Sequence, residues 1–243
     1  YGRQGRGWDS PEGGLYMSML LRPDVAGSGL ATLSLVAGLA VQRALAAMAE
    51  APFRDGIQLK WPNDIVYMDA AVERADEYRK MCGISMEACG GGVCVGIGIN
   101  VFAPDIERPV EGRNVPQYMT DLMLAKAPDA PAGATVAEYA ATLEGRAQTA
   151  YREEVISDVQ REVLARLLVS YGRWRELGFE PSLSNYDAAS FLNGRPVRIE
   201  NAAGDEVLEG VAETVDERGR LLVRTADRLV PVSSGEAHVI PKP

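Results

Sequence analysis

The chain has 243 residues, 47% of them hydrophobic, which leaves room for one sizeable core and a smaller module. Its 25 Lys and Arg stand against 34 Asp and Glu, and this net charge of -9 argues against a sequence-independent grip on nucleic acid, which needs many phosphate-neutralising cations. Three cysteines without CxxC spacing and a single histidine, His238, argue against structural zinc and a histidine-based triad, and fit a reducing cytoplasm.

The chain opens on Gly2-Arg3-Gln4-Gly5-Arg6-Gly7-Trp8. Its glycines let backbone approach a ligand closely, and Arg3 and Arg6 supply planar charged forks suited to carboxylate or phosphate oxygens. A solvated glycine-rich turn has the same composition. Ser10-Pro11 and Gly13-Gly14 then punctuate a turn before a buried strand at 15–21. Residues 30–48 read as a helix that is apolar nearly all round but interrupted by Ser34, Gln42 and Arg43, which fits a core helix and not a membrane span. Short strands at 57–60 and 65–68 flank the Trp61-Pro62-Asn63 corner, where Pro62 biases Trp61 toward an extended conformation and cannot donate to a ladder. That corner is expected to be a bend or an edge. A charged stretch at 73–79 reads as a solvated hairpin tip. Runs at 81–88 and 93–101, joined by Cys89-Gly90-Gly91-Gly92, read as a β-hairpin, with Cys82 and Cys94 as packing thiols.

Prolines at 104, 109, 116, 128 and 131 make most of 102–134 irregular. Thr135 with Glu138 has capping-box spacing and predicts a helix start, and Ser157 with Gln160 repeats the signal before a second helix. Val159, Val163, Leu167, Tyr171 and Trp174 give that helix one apolar stripe, closed by Gly178 and Pro181. From Phe191 the texture changes to short β runs at 197–199, 207–215, 221–224, 229–232 and 237–240, separated by turns at Gly204, Gly219 and Gly235. Such spacing predicts a small antiparallel barrel, and the chain divides at 1–189 and 190–243.

Lys60 is the leading electrostatic catalyst, because Trp61 and Pro62 can hold its stem while its compact ammonium points into a cleft. A surface lysine beside a core tryptophan is the plainer alternative. In Gly96-Ile97-Gly98-Ile99-Asn100 the glycines fall on one face of an extended strand and the isoleucines on the other, leaving a flat face on which a ring or chain can lie. A glycine-weakened edge strand has the same pattern. The third glycine of a dinucleotide fingerprint is absent here, and no GxxxxGK[ST] loop occurs.

In order and approximate separation, Gly2 to Trp8, Lys60-Trp61-Pro62-Asn63-Asp64 and Gly96 to Asn100 resemble the biotin–protein ligase family over nearly the whole chain. The resemblance implies an α/β (α+β) fold: a class II aminoacyl-tRNA synthetase-like mixed sheet with flanking helices, and a C-terminal SH3-like β-barrel. It implies that Arg3 closes over biotin and its adenylate and that Lys60 contacts biotin's carboxylate and the α-phosphate. It places Gly2, Gly83, Ile84 and Gly96 at the biotin pocket, Gly98 and Asn100 at the nucleotide, with Asn100 reading adenine, and Arg6, Trp8 and Asn63 near the triphosphate. No metal ligand is assigned. Tyr1 stands where many relatives have arginine. The Thr-Asn pair and glutamine that hold biotin's ureido ring in relatives lie upstream, so the resemblance implies an N-terminally incomplete chain, with no DNA-binding helix-turn-helix expected in it. The segment between Asp64 and Lys80 is longer than in compact relatives, an inserted hairpin of unassigned role.

The implied activity joins biotin to ATP with magnesium, forming biotinyl-5′-AMP, and passes biotin to a lysine of a carboxylase's biotin carboxyl carrier domain in the cytoplasm. Homodimerisation through the catalytic sheet belongs to the same expectation; membrane attachment and nucleic-acid binding do not. A lipoate or octanoate transferase, a biotin-sensing regulator and a non-catalytic biotin-binding protein are the alternatives.

Overall fold

The period-2 patterns build a first sheet with two unlike faces. In the computed structural model, which describes residues 10–25, 27–72, 76–105, 115–201 and 203–240, strands β1 (Leu15–Leu21), β2 (Ile57–Lys60), β3 (Asp64–Tyr67), β4 (Arg79–Cys89) and β5 (Gly92–Ile99) form a sheet of order β1-β5-β4-β3-β2. Every pairing between these strands is antiparallel, and parallel pairing occurs at the isolated bridges Leu59–Ser190 and Lys80–Pro116. Strand β5 is internal, so its glycines do not mark an edge. Leu15, Ile99, Cys82, Ile65 and Leu59 make one cross-strand row, each 6% exposed or less, and together they form part of the core face. Cys94, in contrast, is only half-buried, because alternation puts it on the other face opposite Leu20 and Glu87.

Helix α1 (Leu33–Met48) lies on the core face, led in by a 3-10 turn at Gly27–Thr32. A Cβ on its Gly38 would stand 3.2 Å from Leu59 and 4.0 Å from Ile84, the close helix–sheet approach that the alanine- and glycine-rich sequence permits. The stretch Gly29–Met48 is long and apolar enough to cross a membrane, yet its apolar side chains are spent on the sheet and on a second helix. After the short α2 (Ala51–Arg54) and the strands, α3 (Val136–Thr142) begins at the expected capping box: Thr135 accepts from the Glu138 N–H, and Glu138 from the Thr135 N–H.

Helix α4 (Gly145–Leu177) starts twelve residues before Ser157. Ser157 and Gln160 are exposed on its polar side, where capping-box spacing recurs without a helix start. The apolar stripe is as expected and extends back to Val155; Val159, Val163, Leu167 and Trp174 are at most 3% exposed, each stabilising the fold by roughly 1.5–3 kcal/mol through burial. The Trp174 indole N–H donates to Thr32 at the head of α1, 2.9 Å away.

Helix α5 (Leu183–Ala188) leads into a second antiparallel sheet of β6 (Pro196–Glu200), β7 (Glu206–Val215), β8 (Leu221–Arg224), β9 (Leu229–Val232) and β10 (Glu236–Val239), in the order β10-β6-β7-β8-β9. The outer strands β9 and β10 are not hydrogen-bonded to each other, so the expected barrel is an open sheet. Pro231, which has no N–H, suits β9 to an edge.

The β7–β8 turn docks this sheet on the first. The Trp61 indole N–H donates to the Gly219 carbonyl at 3.0 Å. Gly219 has φ +77°, a conformation that favours glycine, and a Cβ there would also press on the Leu35 side chain at 2.9 Å. Asp216 ties the turn by accepting from the N–H groups of Arg218 and Arg220 and from the Arg220 guanidinium. Burial pushes the Asp216 carboxyl up, but these donors outweigh it and hold the group below the ordinary carboxylate range. Because the folded pKa lies below the unfolded value of about 3.9, the contribution is complete above that pH and is lost as pH falls toward the folded value. Asp216→Asn is expected to destabilise the protein by about 1–2 kcal/mol at pH 7 and to flatten the acid limb of the melting temperature below about pH 4, measured by calorimetry.

Candidate active site

The face of the first sheet opposite α1 brings the described candidate site residues together. Register places Tyr16, Gly98, Gly83, Asp64 and Lys60 in one row across all five strands. With neighbouring strands about 4.8 Å apart, the row spans roughly 19 Å. At its middle, Gly98 faces Gly83, so two adjacent strands present bare backbone. In the next row Gly96 lies between Ser18 and Ser85, and a Cβ on Gly96 would come within 2.5 Å of the Ser85 hydroxyl. The predicted flat strip therefore exists, and β4 doubles its width.

Lys60 ends the row at 8% exposure, its Nζ 5.5 Å from the centre of the Tyr78 ring. The Trp61–Pro62 peptide that follows is cis, and Trp61 is 2% exposed. Asn63 pins the hairpin to β4: its Nδ2 donates to the Ile84 carbonyl at 2.6 Å, and its own carbonyl accepts the Ile84 N–H at 2.9 Å. The Ile84 side chain points into the core, which leaves only its main chain on the row's face, and Asn63 engages it. Asn100, just past β5, donates one Nδ2 hydrogen to the Lys80 carbonyl at 2.9 Å, which orients its amide.

Lys80 is the residue that sequence reasoning missed. Strict alternation puts it on the core face with Cys82 and Ile84, but a bulge between Ile65 and Val66 leaves Met81 as an extra residue in β4. Lys80 is thereby turned onto the row's face, where its Nζ meets Asp64 Oδ1 at 2.9 Å, the two side chains 25% and 18% exposed. Bulges leave little trace in a hydrophobic pattern. Lys60, Lys80 and Asp64 thus flank the bare backbone of this row, an arrangement that attracts an anionic group and lets an extended chain lie flat. Gly2, Arg3, Arg6 and Trp8 lie outside the described residues.

Comparison with known proteins shows the family. The Biotin/lipoate A/B protein ligase family matches residues 1–102, and the Biotin protein ligase C terminal domain matches residues 193–238. A biotin–[acetyl-CoA-carboxylase] ligase of Mycobacterium tuberculosis is 31% identical over 238 residues, covering 97% of this chain and 73% of the relative. The chain belongs to the biotin protein ligase family. A bifunctional ligase/repressor of Escherichia coli is 26% identical over 97% of this chain, which spans 61% of that relative. Among solved structures, the biotin protein ligase of Aquifex aeolicus in complex with biotin and ATP superposes with a TM-score of 0.67 at 27% identity, covering 99% of this chain and 84% of that one. The fold of this ligase, an α/β body followed by the small C-terminal β module, is the one the motifs implied.

Proposed function

We infer that this chain activates biotin with ATP to biotinyl-5′-AMP and transfers the biotin to a lysine of a biotin-dependent carboxylase. The observation that carries the reading is the glycine strip ending at Lys60, in a chain whose relatives are biotin–[acetyl-CoA-carboxylase] ligases. In the first step a biotin carboxylate oxygen attacks the α-phosphorus of ATP and the bond to the β-phosphate oxygen breaks, releasing pyrophosphate. Two anions must approach, so cations near the reacting oxygens lower the barrier. Lys60 is assigned to the biotin carboxylate and α-phosphate, Gly83, Gly96 and the Ile84 main chain to biotin, and Gly98, Asn63 and Asn100 to the nucleotide. Gly2, Arg3, Arg6 and Trp8 would close over them. In the second step the carrier lysine's amine attacks the acyl carbon of the mixed anhydride, and AMP leaves.

Among the described residues no group of three or more His, Cys, Asp or Glu side chains could hold a metal, and Asp64, the carboxylate on the row, is paired with Lys80. These side chains do not by themselves build a magnesium site, and a magnesium ion would be held mainly by the phosphate oxygens of ATP.

The acceptor is assigned as the biotin carboxyl carrier domain of a carboxylase. The proposal also divides the chain at 1–189 and 190–243, a boundary supported by the start of the second sheet at β6. The cytoplasm is assigned from the three free cysteines. A homodimer through the outer edge of β1, where Leu20 is 54% exposed, completes the reading, with sedimentation as its check.

Incubation with labelled ATP and biotin, lipoate or octanoate tests the reaction. Biotinyl-5′-AMP formed in clear preference to the other adenylates supports it, and preference for lipoate or octanoate overturns it. Lys80→Met probes the second ammonium. Losing the charge opposite Asp64 is expected to slow adenylate formation about 5- to 20-fold, roughly 1–2 kcal/mol, with a smaller change in biotin affinity, read in single-turnover kinetics.

A further inference from the structure

The segment between Asp64 and Lys80 ends on Tyr78, a ring that the reaction above does not use. Tyr78 is 7% exposed, although it follows the charged residues Asp76 and Glu77. Its ring packs edge-on against Phe191, centroids 4.9 Å apart at 61°, and stands 5.5 Å from the Lys60 ammonium. Phe191, 1% exposed, belongs to the linker that enters the second sheet. That linker also closes the outer edge of β2. The Leu59 N–H donates to the Ala189 carbonyl at 2.8 Å, and the Phe191 N–H donates to the Leu59 carbonyl at 2.7 Å. On the far side of Lys60, Trp61 is held by Gly219. Within two residues of Lys60, therefore, the linker and the second sheet grip its strand on both sides.

We propose that Tyr78, delivered by the inserted segment and braced by Phe191, is a positioning residue that fixes the Lys60 ammonium for adenylate formation. The inference rests on the function proposed above. A nearly buried ammonium has lost most of its water, and the negative face of an aromatic ring replaces part of that solvation while restricting where the charge sits. Phe191 fixes the ring, and the β2 edge bonds fix the lysine's backbone. The inserted segment thereby acquires a role, and the junction between the two sheets bears on the reaction rate without touching substrate.

The test is single-turnover formation of biotinyl-5′-AMP by Tyr78→Phe and Tyr78→Leu, each made in the wild-type chain and in a Lys60→Ala background, with biotin affinity and melting temperature measured for all. Tyr78→Phe keeps the ring and is expected to stay within about threefold of wild type, whereas Tyr78→Leu, which fills the slot without a π face, is expected to be about tenfold slower with biotin affinity changed much less. In the Lys60→Ala background the two variants should react at the same rate, because the ring acts only through the lysine. Equal rates for Phe and Leu in the wild-type background overturn the proposal, as does a tenfold gap that persists without Lys60. Should Tyr78→Leu not fold, Tyr78→Met fills the same slot and is read in its place. A wild-type chain that makes no biotinyl adenylate, while binding biotin, instead removes the parent reading and this proposal with it.

Discussion

Replacing Lys60 with alanine is expected to slow adenylate formation by about 100- to 1,000-fold, the scale on which a single pre-placed electrostatic donor acts at a site excluded from water. Lys60 is 8% exposed and ends the cross-strand row that runs through Gly98 and Gly83, so its ammonium has lost most of its water. Lys80 stands nearby but is tied to Asp64 at 2.9 Å. The loss should fall mainly on the rate of the chemical step, because Lys60 is assigned to bring the carboxylate and the α-phosphate, two anions, together in the transition state, and biotin alone should bind with a smaller deficit. Lys60→Arg should recover little of the rate: a guanidinium is larger and planar, and it would not put its charge where the Lys60 Nζ stands, 5.5 Å from the centre of the Tyr78 ring. Single-turnover kinetics with labelled ATP, together with calorimetric titration of biotin, separates the two effects.

Gly98→Val is expected to weaken biotin and adenylate binding by about 10- to 100-fold, roughly 1–3 kcal/mol. Gly98 faces Gly83 across two internal strands, and a branched side chain at that point would stand up from the strip where the ligand is placed. Valine suits an extended strand, so the register of β5 should survive and the melting temperature serve as the control. A variant that folds normally and binds biotin as tightly as wild type would show that the strip is not the binding surface. Together with Lys60→Ala, this variant separates the bare-backbone component of the site from its charged component.

Much of this site was legible in the sequence because it depends on short-range geometry. The alternation Gly96-Ile97-Gly98-Ile99 demands one bare face and one buried face, and the buried isoleucines confirm it. The Thr135–Glu138 box starts α3, and the stripe from Val159 to Trp174 is the inward side of α4. Illegible features came from contacts between distant segments. The start of α4 at Gly145 carries no side-chain cap, so the only box in its sequence, at Ser157, pointed twelve residues too far along. Lys80 enters the site through a bulge whose cause is the pairing of β4 with β3, which a single strand's pattern does not express. The grip around Lys60 by Ala189, Phe191 and Gly219 spans up to 158 residues of chain; at Leu59 it is made by backbone groups alone, and at Gly219 a backbone carbonyl accepts from the Trp61 indole, so in neither case does the residue type of the distant partner announce the contact. Gly219 was readable as a turn glycine, but its role as acceptor for Trp61 was not.

The central claim is that the glycine strip and the Lys60 ammonium form one surface on which biotin's acyl chain and the α-phosphate meet. A crystal structure of the chain with biotinyl-5′-AMP tests it most directly. The account predicts the acyl chain lying across Gly83, Gly96 and Gly98, the phosphate within hydrogen-bonding distance of Lys60 Nζ, and the Arg3 guanidinium closing over the same group. An adenylate seated away from this face, with Lys60 and Arg3 on opposite sides of the molecule, would contradict it.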